Sequence, residues 1–393
     1  MTIVYSGEGV KDTSGNLLVG VQNGAVSGAV VTGGRRNLII NGAMQVAQRG
    51  TSFAGATTAY HTDRWIDVMN LGSWTISQSS DAPDGFGYSH KWDCTTANGT
   101  LAAGSELILA TRLEGQDCQQ LKYGSANAES LTLSFWVKSS KTGTYTVEFD
   151  QYGDRQISRT YTIDSADTWE YKTVTVPGDT GGSIDNDNSA EFQLLFWLGA
   201  GSNLTSGTLN TSAWATTTNA NRVSPSNVNL ADNTANDWYI TGVQLEVGSV
   251  ATPFEHRSYG EELALCQRYY YRPGYEASSL LTYNIVYKDT GGGSSGWTSF
   301  QVPFPVTMRT IPTFSHNLSD SNQSGGSPGT TYWRFYEQNI GYPSKHGASN
   351  MSVLSASATT THSSIGAYYV SPNGTASGIR IGSDLTFEFS AEI

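Results

Sequence analysis

Short apolar runs, each cut off by Gly, Asp or Asn, follow one another from residue 37 to residue 248. The series opens with NLIINGAMQVAQRG, and its clearest members are LTLSFWVKS, TYTVEFDQYG and EFQLLFWLG, in which apolar and polar residues alternate. A period of two places every second side chain on the same face of a strand. Short runs with frequent turns are typical of a β-sandwich or jelly roll, so the chain is predicted to be all-β. One polar segment, residues 201–236, is predicted to be a long surface excursion.

Composition agrees with this prediction and limits the partners. Of 393 residues, only 14% are charged and 43 are Gly, whereas helices prefer Ala, Leu, Glu and Lys. The formal net charge is -12 and no Lys/Arg run occurs, so nucleic acid is not an expected partner. No apolar stretch reaches the roughly 20 residues that span a bilayer, and the first residues lack the pattern of a signal peptide. We expect assembly in a cytosol, no membrane insertion, and a neutral, hydroxyl-rich ligand.

One stretch, SYGEELALCQRYYYRPG, is predicted to be helical. Ser258 and Glu261 form a capping box at its start, and Pro273 with Gly274 is expected to end it. One stripe at helical spacing contains Tyr259, Leu263, Cys266 and Tyr270. Because this stripe is too thin for a free-standing helix, we expect it to form a joint between domains or between copies of the chain. Tyr270 should be buried there, where the first strand of the next domain begins.

These features divide the chain into four parts. Residues 1–36 contain one weak strand signal, at 17–21, among small residues, and are predicted to be either an arm that attaches to another chain or a disordered tail. Residues 37–257 are predicted to form a jelly-roll β-sandwich, and residues 258–273 a helical connector. Residues 274–393 are predicted to form a smaller distal β-sandwich domain, whose best strands are WTSFQVPFPVTM and LTFEFSAEI.

Two tryptophans of the predicted sandwich stand among polar neighbours. Trp136 falls on the same strand face as Ser134 and Lys138, and Trp197 falls on the same face as Gln193. A flat ring in such surroundings can stack against the C–H face of a pyranose while nearby polar groups bond its hydroxyls. The alternative is that these rings cover the second face of a sheet under a loop or a neighbouring chain.

Aromatic residues also cluster in the predicted distal domain. They stand among Ser, Gly and Asn, a composition in which rigid rings supply contact area and small polar residues adapt. The candidates for glycan contact there are Tyr332, Trp333, Tyr336, Tyr342 and Tyr368. We therefore predict that the distal domain takes part in binding.

Patterns for catalysis and metal binding are scarce. The chain has no G-x-S-x-G, H-E-x-x-H or Walker motif and no Cys/His cluster. Its 34 acidic residues are scattered singly through turns, so no pair stands out for glycoside hydrolysis. The run from Asp185 to Asn188 offers oxygen ligands to a hard cation, but a solvated turn is the simpler interpretation. We expect no enzyme activity, no cofactor and no metal.

The two ends of the predicted sandwich resemble a known module. NLIINGAMQVAQRG with DRW, and WYITGVQLEVGSVATPFEHRSYGEELALCQRYYYR, resemble the ends of a module in bacteriophage tail fibre and related virion proteins. In that family a β-sandwich similar to carbohydrate-binding modules is followed by a short connector and a variable distal domain. VPFPVTMRTIPT, residues 302–313, resembles a strand common in those distal domains. The strands in the middle of the sandwich match that module only in their general pattern of short apolar runs.

The resemblance implies a virion component, usually a homotrimer, that touches the host surface with its C-terminal part. It implies no catalytic residue. The expected partners are other copies of the chain, a virion tail or baseplate protein bound through residues 1–36, and host surface polysaccharide. Three functions remain open: a tail fibre that adsorbs to host glycan through residues 274–393, a structural fibre or adaptor without receptor binding, and a glycan-degrading tailspike.

Overall fold

The computed structural model describes residues 35–273 without a gap. It also describes shorter stretches on either side, residues 4–6, 9–11, 17–22, 25–27, 282–283, 286–287, 295–316, 333–336, 352–370, 378–381 and 387–393. Outside 35–273, side chains are described in residues 302–315, 358–363 and 387–393. Among all these residues, no helix is long and apolar enough to cross a membrane.

Near the N-terminus the described residues form one small antiparallel sheet. Its strands, in chain order and in sheet order, are β1 (Val4–Ser6), β2 (Gly9–Lys11), β3 (Leu17–Gln22) and β4 (Ala25–Ser27). Each strand pairs with the next one along the chain, as in a meander. Strand β3 confirms the strand predicted at residues 17–21.

Two antiparallel sheets then form a β-sandwich. Its strands are β5 (Ser52–Ala54), β6 (Ala59–Thr62), β7 (Trp65–Met69), β8 (Ser73–Ser79), β9 (Ser89–Thr96), β10 (Glu106–Glu114), β11 (Leu131–Ser139), β12 (Gly143–Asp150), β13 (Arg155–Ile163), β14 (Glu170–Val176), β15 (Ala190–Ala200), β16 (Ala215–Thr216) and β17 (Asp237–Val247). The seven-stranded sheet has the order β16-β13-β12-β15-β10-β7-β6, and the six-stranded sheet has the order β14-β11-β17-β9-β8-β5. The chain crosses repeatedly between the two sheets, as in a jelly roll, and the prediction of an all-β sandwich is confirmed.

The core lies between the two sheets. Alternate residues of each strand point inward, so Leu133, Phe135 and Val137 of β11 are fully buried. The ring of Phe135 packs edge-on against that of Phe196 from β15, with centroids 5.1 Å apart. Such contacts across the interior hold the facing sheets together, because aromatic side chains bury large apolar areas.

Short helical turns lie in the loops of the sandwich. They are α1 (Ser202–Thr205) and the 3₁₀ turns Gly115–Asp117, Gln119–Leu121, Asn219–Asn221 and Leu230–Asp232. Three of them, with β16, belong to the excursion predicted at residues 201–236. Leu204 and Val223 of this excursion pack against the outer face of the seven-stranded sheet, so the segment covers that face.

Residues 37–50 open the series of predicted strands but form no strand. Asn41 has a φ of 58°, and its side chain accepts from the Val46 N–H at 3.0 Å and donates to the Val46 carbonyl at 2.9 Å. Gly42 lies so close to β17 that a Cβ would be 2.1 Å from the Val243 carbonyl oxygen. Side-chain bonds of this kind compete with a sheet ladder, which explains the irregular path of this buried segment.

Helix α2 (Tyr259–Gln267) follows the sandwich, and its predicted start is confirmed. The Ser258 Oγ accepts from the Glu261 N–H at 3.3 Å, while a Glu261 carboxylate oxygen accepts from the Ser258 N–H at 3.0 Å. This reciprocal pair is the capping box that the sequence predicts, and it satisfies two backbone donors at the helix start.

Antiparallel strands follow the helix. They are β18 (Tyr270–Tyr271), β19 (Thr282–Tyr283), β20 (Val286–Tyr287), β21 (Ser295–Pro303), β22 (Thr313–His316), β23 (Trp333–Tyr336), β24 (Ser352–Ala358), β25 (His362–Val370), β26 (Gly378–Ile381) and β27 (Phe387–Ser390). They form sheets in the orders β18-β27-β22, β19-β26-β23 and β20-β21-β25-β24. Both predicted strands appear, as β21 and β27, and Phe387 and Phe389 of β27 are buried as their alternation predicts.

The predicted end of the helix at Pro273 and Gly274 is wrong. The chain leaves the helix after Gln267, and Tyr270 pairs with Ser390 of β27. Tyr270 and Tyr271 therefore enter a sheet, for which aromatic residues have a preference, and Tyr269 lies in the turn between the helix and this strand. The expectation that Tyr270 begins the next strand is confirmed.

Candidate functional site

Trp136 lies on the outer face of the six-stranded sheet, as its place in the alternation predicts. Its neighbours Phe135 and Val137 are fully buried in the core, whereas Trp136 is half-buried. Across the two neighbouring ladders, Trp136 is opposite Tyr171 of β14 and Thr241 of β17. The register therefore places two large aromatic side chains side by side on one outer face.

Four rings and one lysine form a patch on this sheet, which we call the aromatic face: Trp136, Trp169, Tyr171, Tyr239 and Lys138. The ring centroids of Trp136 and Tyr171 are 5.3 Å apart, with the planes tilted by 49°. The rings of Trp169 and Tyr239 are 6.2 Å apart and meet edge to face. Tyr171 is 45% exposed, so the first pair presents ring surface to the solvent.

Lys138 holds the second pair of rings in place. Its ammonium lies 4.3 Å from the centroid of the Tyr239 ring and donates a hydrogen bond to Asp81. Asp81 also accepts from the indole N–H of Trp169 at 3.1 Å. The hydrogen bond from Lys138 is the main cause of a lowered pKa of Asp81, and the bond from Trp169 acts in the same direction. The rings are thus fixed before a ligand arrives, which reduces the entropy cost of binding.

Charges next to the aromatic face are compensated. Lys91 forms an ion pair with Asp93, with 3.2 Å between nitrogen and oxygen. The hydroxyl of Tyr239 donates to Asp237 at 2.9 Å. A surface of exposed rings with paired charges at its edge suits a neutral ligand that has both C–H and O–H groups.

Trp197 does not present a ring to the solvent, and the expectation of an accessible ring at this position is corrected. It is fully buried on the outer face of the seven-stranded sheet, under Leu204 and Val223. Its indole N–H donates to Glu148 at 2.8 Å, and the guanidinium carbon of Arg222 lies 5.2 Å from its ring. The alternative interpretation, in which the ring covers the second face under a loop, describes Trp197.

A buried ion pair accompanies Trp197. Glu148 is fully buried, and Arg222 donates to it through Nε at 2.8 Å. Burial raises the pKa of Glu148 to about 7 in spite of this pair. The pair anchors the middle of the excursion to the sheet, because breaking it would leave an uncompensated charge inside the protein.

The predicted glycan contacts of the distal domain lie outside the described side chains. Tyr332 and Tyr342 fall outside the described residues altogether. Trp333 and Tyr336 lie in β23 and Tyr368 lies in β25, and only the backbone is described there. Their part in binding stays a prediction.

Most of the predicted joint residues pack where expected. Cys266 is fully buried against Ile40 and Val46 of the sandwich, and Leu263 packs against the same cluster. Tyr270 is 2% exposed. Tyr259 differs, because it is 42% exposed at the start of the helix. The joint thus joins the connector to the sandwich within one chain.

Ionic contacts reinforce this joint. Arg268, just after the helix, donates to both carboxylate oxygens of Glu114 at 2.7 Å. Glu392, beyond β27, forms ion pairs with Arg49 and Arg64 of the sandwich. Bidentate and buried pairs of this kind fix orientation as well as distance.

The acidic turn that could have held a cation has another role. Asn188 donates to the Arg309 carbonyl at 2.6 Å, and the Arg309 guanidinium donates to the Asn188 carbonyl at 2.8 Å. Within the part of the chain that the structure describes, no group of three His, Cys, Asp or Glu is arranged to hold a metal ion. The turn therefore joins the sandwich to the segment between β21 and β22.

Sequence reasoning missed three of the aromatic residues that surround Trp136. Tyr171 and Trp169 share one parity in WEYKTVTVPG, and Tyr239 lies on the outer parity of WYITGVQLEVG. This alternation was the signal from which the outer position of the three rings could have been predicted. The sequence does not reveal which strands are neighbours, so it did not bring these residues together.

Comparison with known proteins gives limited information. No family model matches the chain, and no curated protein matches it. Among solved structures, an enzymatically active domain of tailspike protein 4 of bacteriophage CBA120 is 12% identical, with a TM-score of 0.29; the match covers 54% of this chain and 21% of that chain. The module TmCBM61 in complex with β-1,4-galactotriose is 9% identical, with a TM-score of 0.28, over 54% of this chain and 99% of that one.

A family 11 carbohydrate-binding module from Clostridium thermocellum, in complex with a mixed-linked tetrasaccharide, is also similar. It is 12% identical, with a TM-score of 0.26, and the match covers 52% of this chain and 99% of the module. This chain thus spans about a fifth of the phage tailspike structure but nearly all of the two modules. Similarities of this size assign no function.

Proposed function

We propose that this chain is a glycan-binding virion protein of the tail fibre kind, and that the aromatic face contacts the glycan. The observation that carries the proposal is the pair of half-buried Trp136 and exposed Tyr171 on the outer face of the sheet. Flat rings at this spacing match the C–H faces of successive or adjoining sugars, and the Tyr171 hydroxyl can bond their O–H groups. The net charge of -12 supports a neutral ligand over a polyanion.

The wider role rests on the sequence resemblance to phage tail fibre proteins. In this proposal residues 1–36 attach to a tail or baseplate protein, residues 37–257 form the sandwich, and residues 258–273 connect it to a distal receptor-binding domain at 274–393. Three copies assemble in the host cytoplasm and become part of the virion. Weak single sites are then sufficient, because several linked copies raise the avidity by about 10² to 10⁴.

We propose binding without hydrolysis. Asp81 is the carboxylate that accepts from both Lys138 and Trp169 of the aromatic face, and the hydrogen bond from Lys138 lowers its pKa. A glycosidase needs a general acid with a raised pKa on one side of the scissile bond. Asp81 has the opposite property, which supports a binding role over the tailspike alternative.

The full-length chain on a glycan array, followed by adsorption to candidate host cells, tests this proposal. We expect a subset of neutral glycans to bind, with binding lost in Trp136→Ala and retained in Tyr152→Ala, an exposed tyrosine on a turn of the other sheet. Absence of binding by a folded chain that still enters particles would favour the structural fibre or adaptor. Release of reducing ends from the bound glycan would favour the tailspike.

A further inference from the structure

A second concave site lies away from the aromatic face. It is a pocket of about 670 Å³ between residues 43–51, the loop at residues 85–88 and the start of helix α2. This volume falls in the range of ordinary small-ligand sites, and it is large enough for one or two sugar units. The joint between sandwich and connector therefore encloses a ligand-sized space.

Aromatic groups form one wall of this pocket. The ring of Phe86 lies 5.1 Å from Phe254 and 5.4 Å from His256. Phe86 also packs on Gly242, which has a φ of 63° and where a Cβ would come within 2.7 Å of the ring. Tyr88 and Tyr259 line the pocket and are each 42% exposed. The wall is thus fixed by packing, with ring surface available to a ligand.

The charged residues that line the pocket are basic. Among the described residues that line it, Arg257 and Arg272 are basic, and none is Asp or Glu. Arg257 is compensated by ion pairs with Glu262 and Glu255 at 3.2 and 3.3 Å. In a chain with a net charge of -12, a pocket wall whose described residues include no Asp or Glu is a distinctive feature.

Arg272 differs from Arg257 in its partners. Its Nη1 donates to the carbonyls of Gln48 and Arg49, at 3.2 Å each. These bonds orient the guanidinium, and within the part of the chain that the structure describes no carboxylate forms an ion pair with Arg272. An oriented guanidinium is the side chain best suited to a carboxylate or phosphate.

Amide groups supply the remaining polar surface. Gln45 and Gln78 line the pocket, and Gln78 donates to the Met44 carbonyl at 2.7 Å, which fixes its side chain. Gln48 is 1% exposed, and its Oε1 has no hydrogen-bond donor among the described residues. Because this oxygen is buried, Gln45 and Gln78 are the amides that offer hydrogen bonds to a ligand.

We infer that this pocket binds a sugar unit that carries an anionic group, with Arg272 as the contact to the anion. The inference rests on the proposed function and extends it, because it adds one anionic sugar unit to a glycan whose units at the aromatic face are neutral. The rings of Phe86 and Tyr88 contact the sugar ring, and the glutamines bond its hydroxyls. The anion is a carboxylate, as in a uronic acid, or a phosphate ester.

Three probes that differ only at carbon 6 test this inference: glucose, glucuronate and glucose 6-phosphate. They are titrated into the full-length chain by calorimetry or ligand-observed NMR. We expect one or both anions to bind about tenfold more tightly than glucose. This is the affinity ratio expected from one additional charge-assisted hydrogen bond. In Arg272→Gln, which retains a donor for the backbone carbonyls but lacks the charge, the anion should bind no better than glucose.

Two further variants separate this inference from the proposed function. Arg272→Lys, which keeps the charge, should retain the preference for the anion, and Trp136→Ala should bind it as the wild type does. Equal binding of all three probes, or no binding of any, would overturn the inference and leave the aromatic face untouched. Loss of anion binding in Trp136→Ala but not in Arg272→Gln would place the ligand on the aromatic face and would also overturn it.

Discussion

The guanidinium carbon of Arg64 lies 3.4 Å from the centre of the Tyr269 ring, and both side chains are buried. Arg64 precedes β7 of the sandwich, and Tyr269 follows helix α2. The hydroxyl of Tyr269 in turn donates to the buried Glu114 at 2.5 Å. The connector is therefore held to the sandwich by a buried polar cluster as well as by apolar packing.

Removal of one hydroxyl should weaken this cluster measurably. Tyr269→Phe retains the ring over Arg64 but leaves a buried carboxylate with one donor fewer. We expect the free energy of unfolding in urea to fall by about 1.5–3 kcal/mol, the range for hydrogen bonds to charged groups. Tyr171→Phe is the matched control, because that hydroxyl is on an exposed ring, and it should be neutral. Equal effects of the two variants would contradict the role of the cluster.

Glu114 should make stability depend on pH at the acidic end. Burial acts to raise its pKa, but hydrogen bonds from Arg268 and Tyr269 outweigh burial, and the pKa is lowered. A carboxyl with a lowered folded-state pKa stabilises the protein above its unfolded pKa of about 4.5, and this contribution is lost as the pH falls through the folded value. The stability advantage of wild type over Glu114→Gln should therefore shrink between pH 7 and pH 3. A constant difference in urea unfolding would contradict the assignment.

Glu148 should show the opposite dependence. Its pKa is raised to about 7 by burial, so the folded state binds the proton more tightly than the unfolded state. Stability from this group is present below about pH 4.5 and is lost as the pH rises toward 7. Thermal unfolding of wild type and Glu148→Gln at several pH values tests this, with the wild type losing stability relative to the variant over that window. A relative gain would contradict it.

Gly42 should tolerate no larger residue. Its backbone is so close to β17 that a Cβ would lie 2.1 Å from the Val243 carbonyl oxygen. Because a backbone atom cannot swing aside, Gly42→Ala should destabilise the chain by about 1–3 kcal/mol in urea unfolding. Gly87→Ala, where a Cβ meets nothing within 4 Å, is the control and should change stability little. A neutral Gly42→Ala would mean that residues 37–50 do not pack against β17 in this way.

Local patterns predicted the elements whose determinants are local. The alternation in LTLSFWVKS corresponds to β11, and the pair Ser258 and Glu261 marks the start of α2. Strands β9 and β13 were missed because their alternation is broken by buried His90 and part-exposed Arg159. Where polar residues are paired inside the protein, hydrophobic periodicity loses its signal.

The contacts that build the candidate sites depend on residues far apart in the chain. Trp136 was placed on the correct face, but Tyr171 and Tyr239 reach it only through the order of strands in the sheet. Trp197 has the same pattern as Trp136, yet it is buried, because residues 201–236 fold back over it. A period of two assigns a side chain to a face and does not tell what covers that face.

One affinity measurement tests the glycan-binding role of the aromatic face most directly. The affinity for the strongest array ligand is measured for the wild type, Trp136→Ala, Tyr171→Ala and Tyr152→Ala. Each ring of the Trp136 and Tyr171 pair contributes stacking area, so we expect Trp136→Ala and Tyr171→Ala each to bind about tenfold more weakly than the wild type. Tyr152→Ala should bind as the wild type does. Unchanged affinity in both Trp136→Ala and Tyr171→Ala, with both variants folded, would contradict the proposed role of the aromatic face.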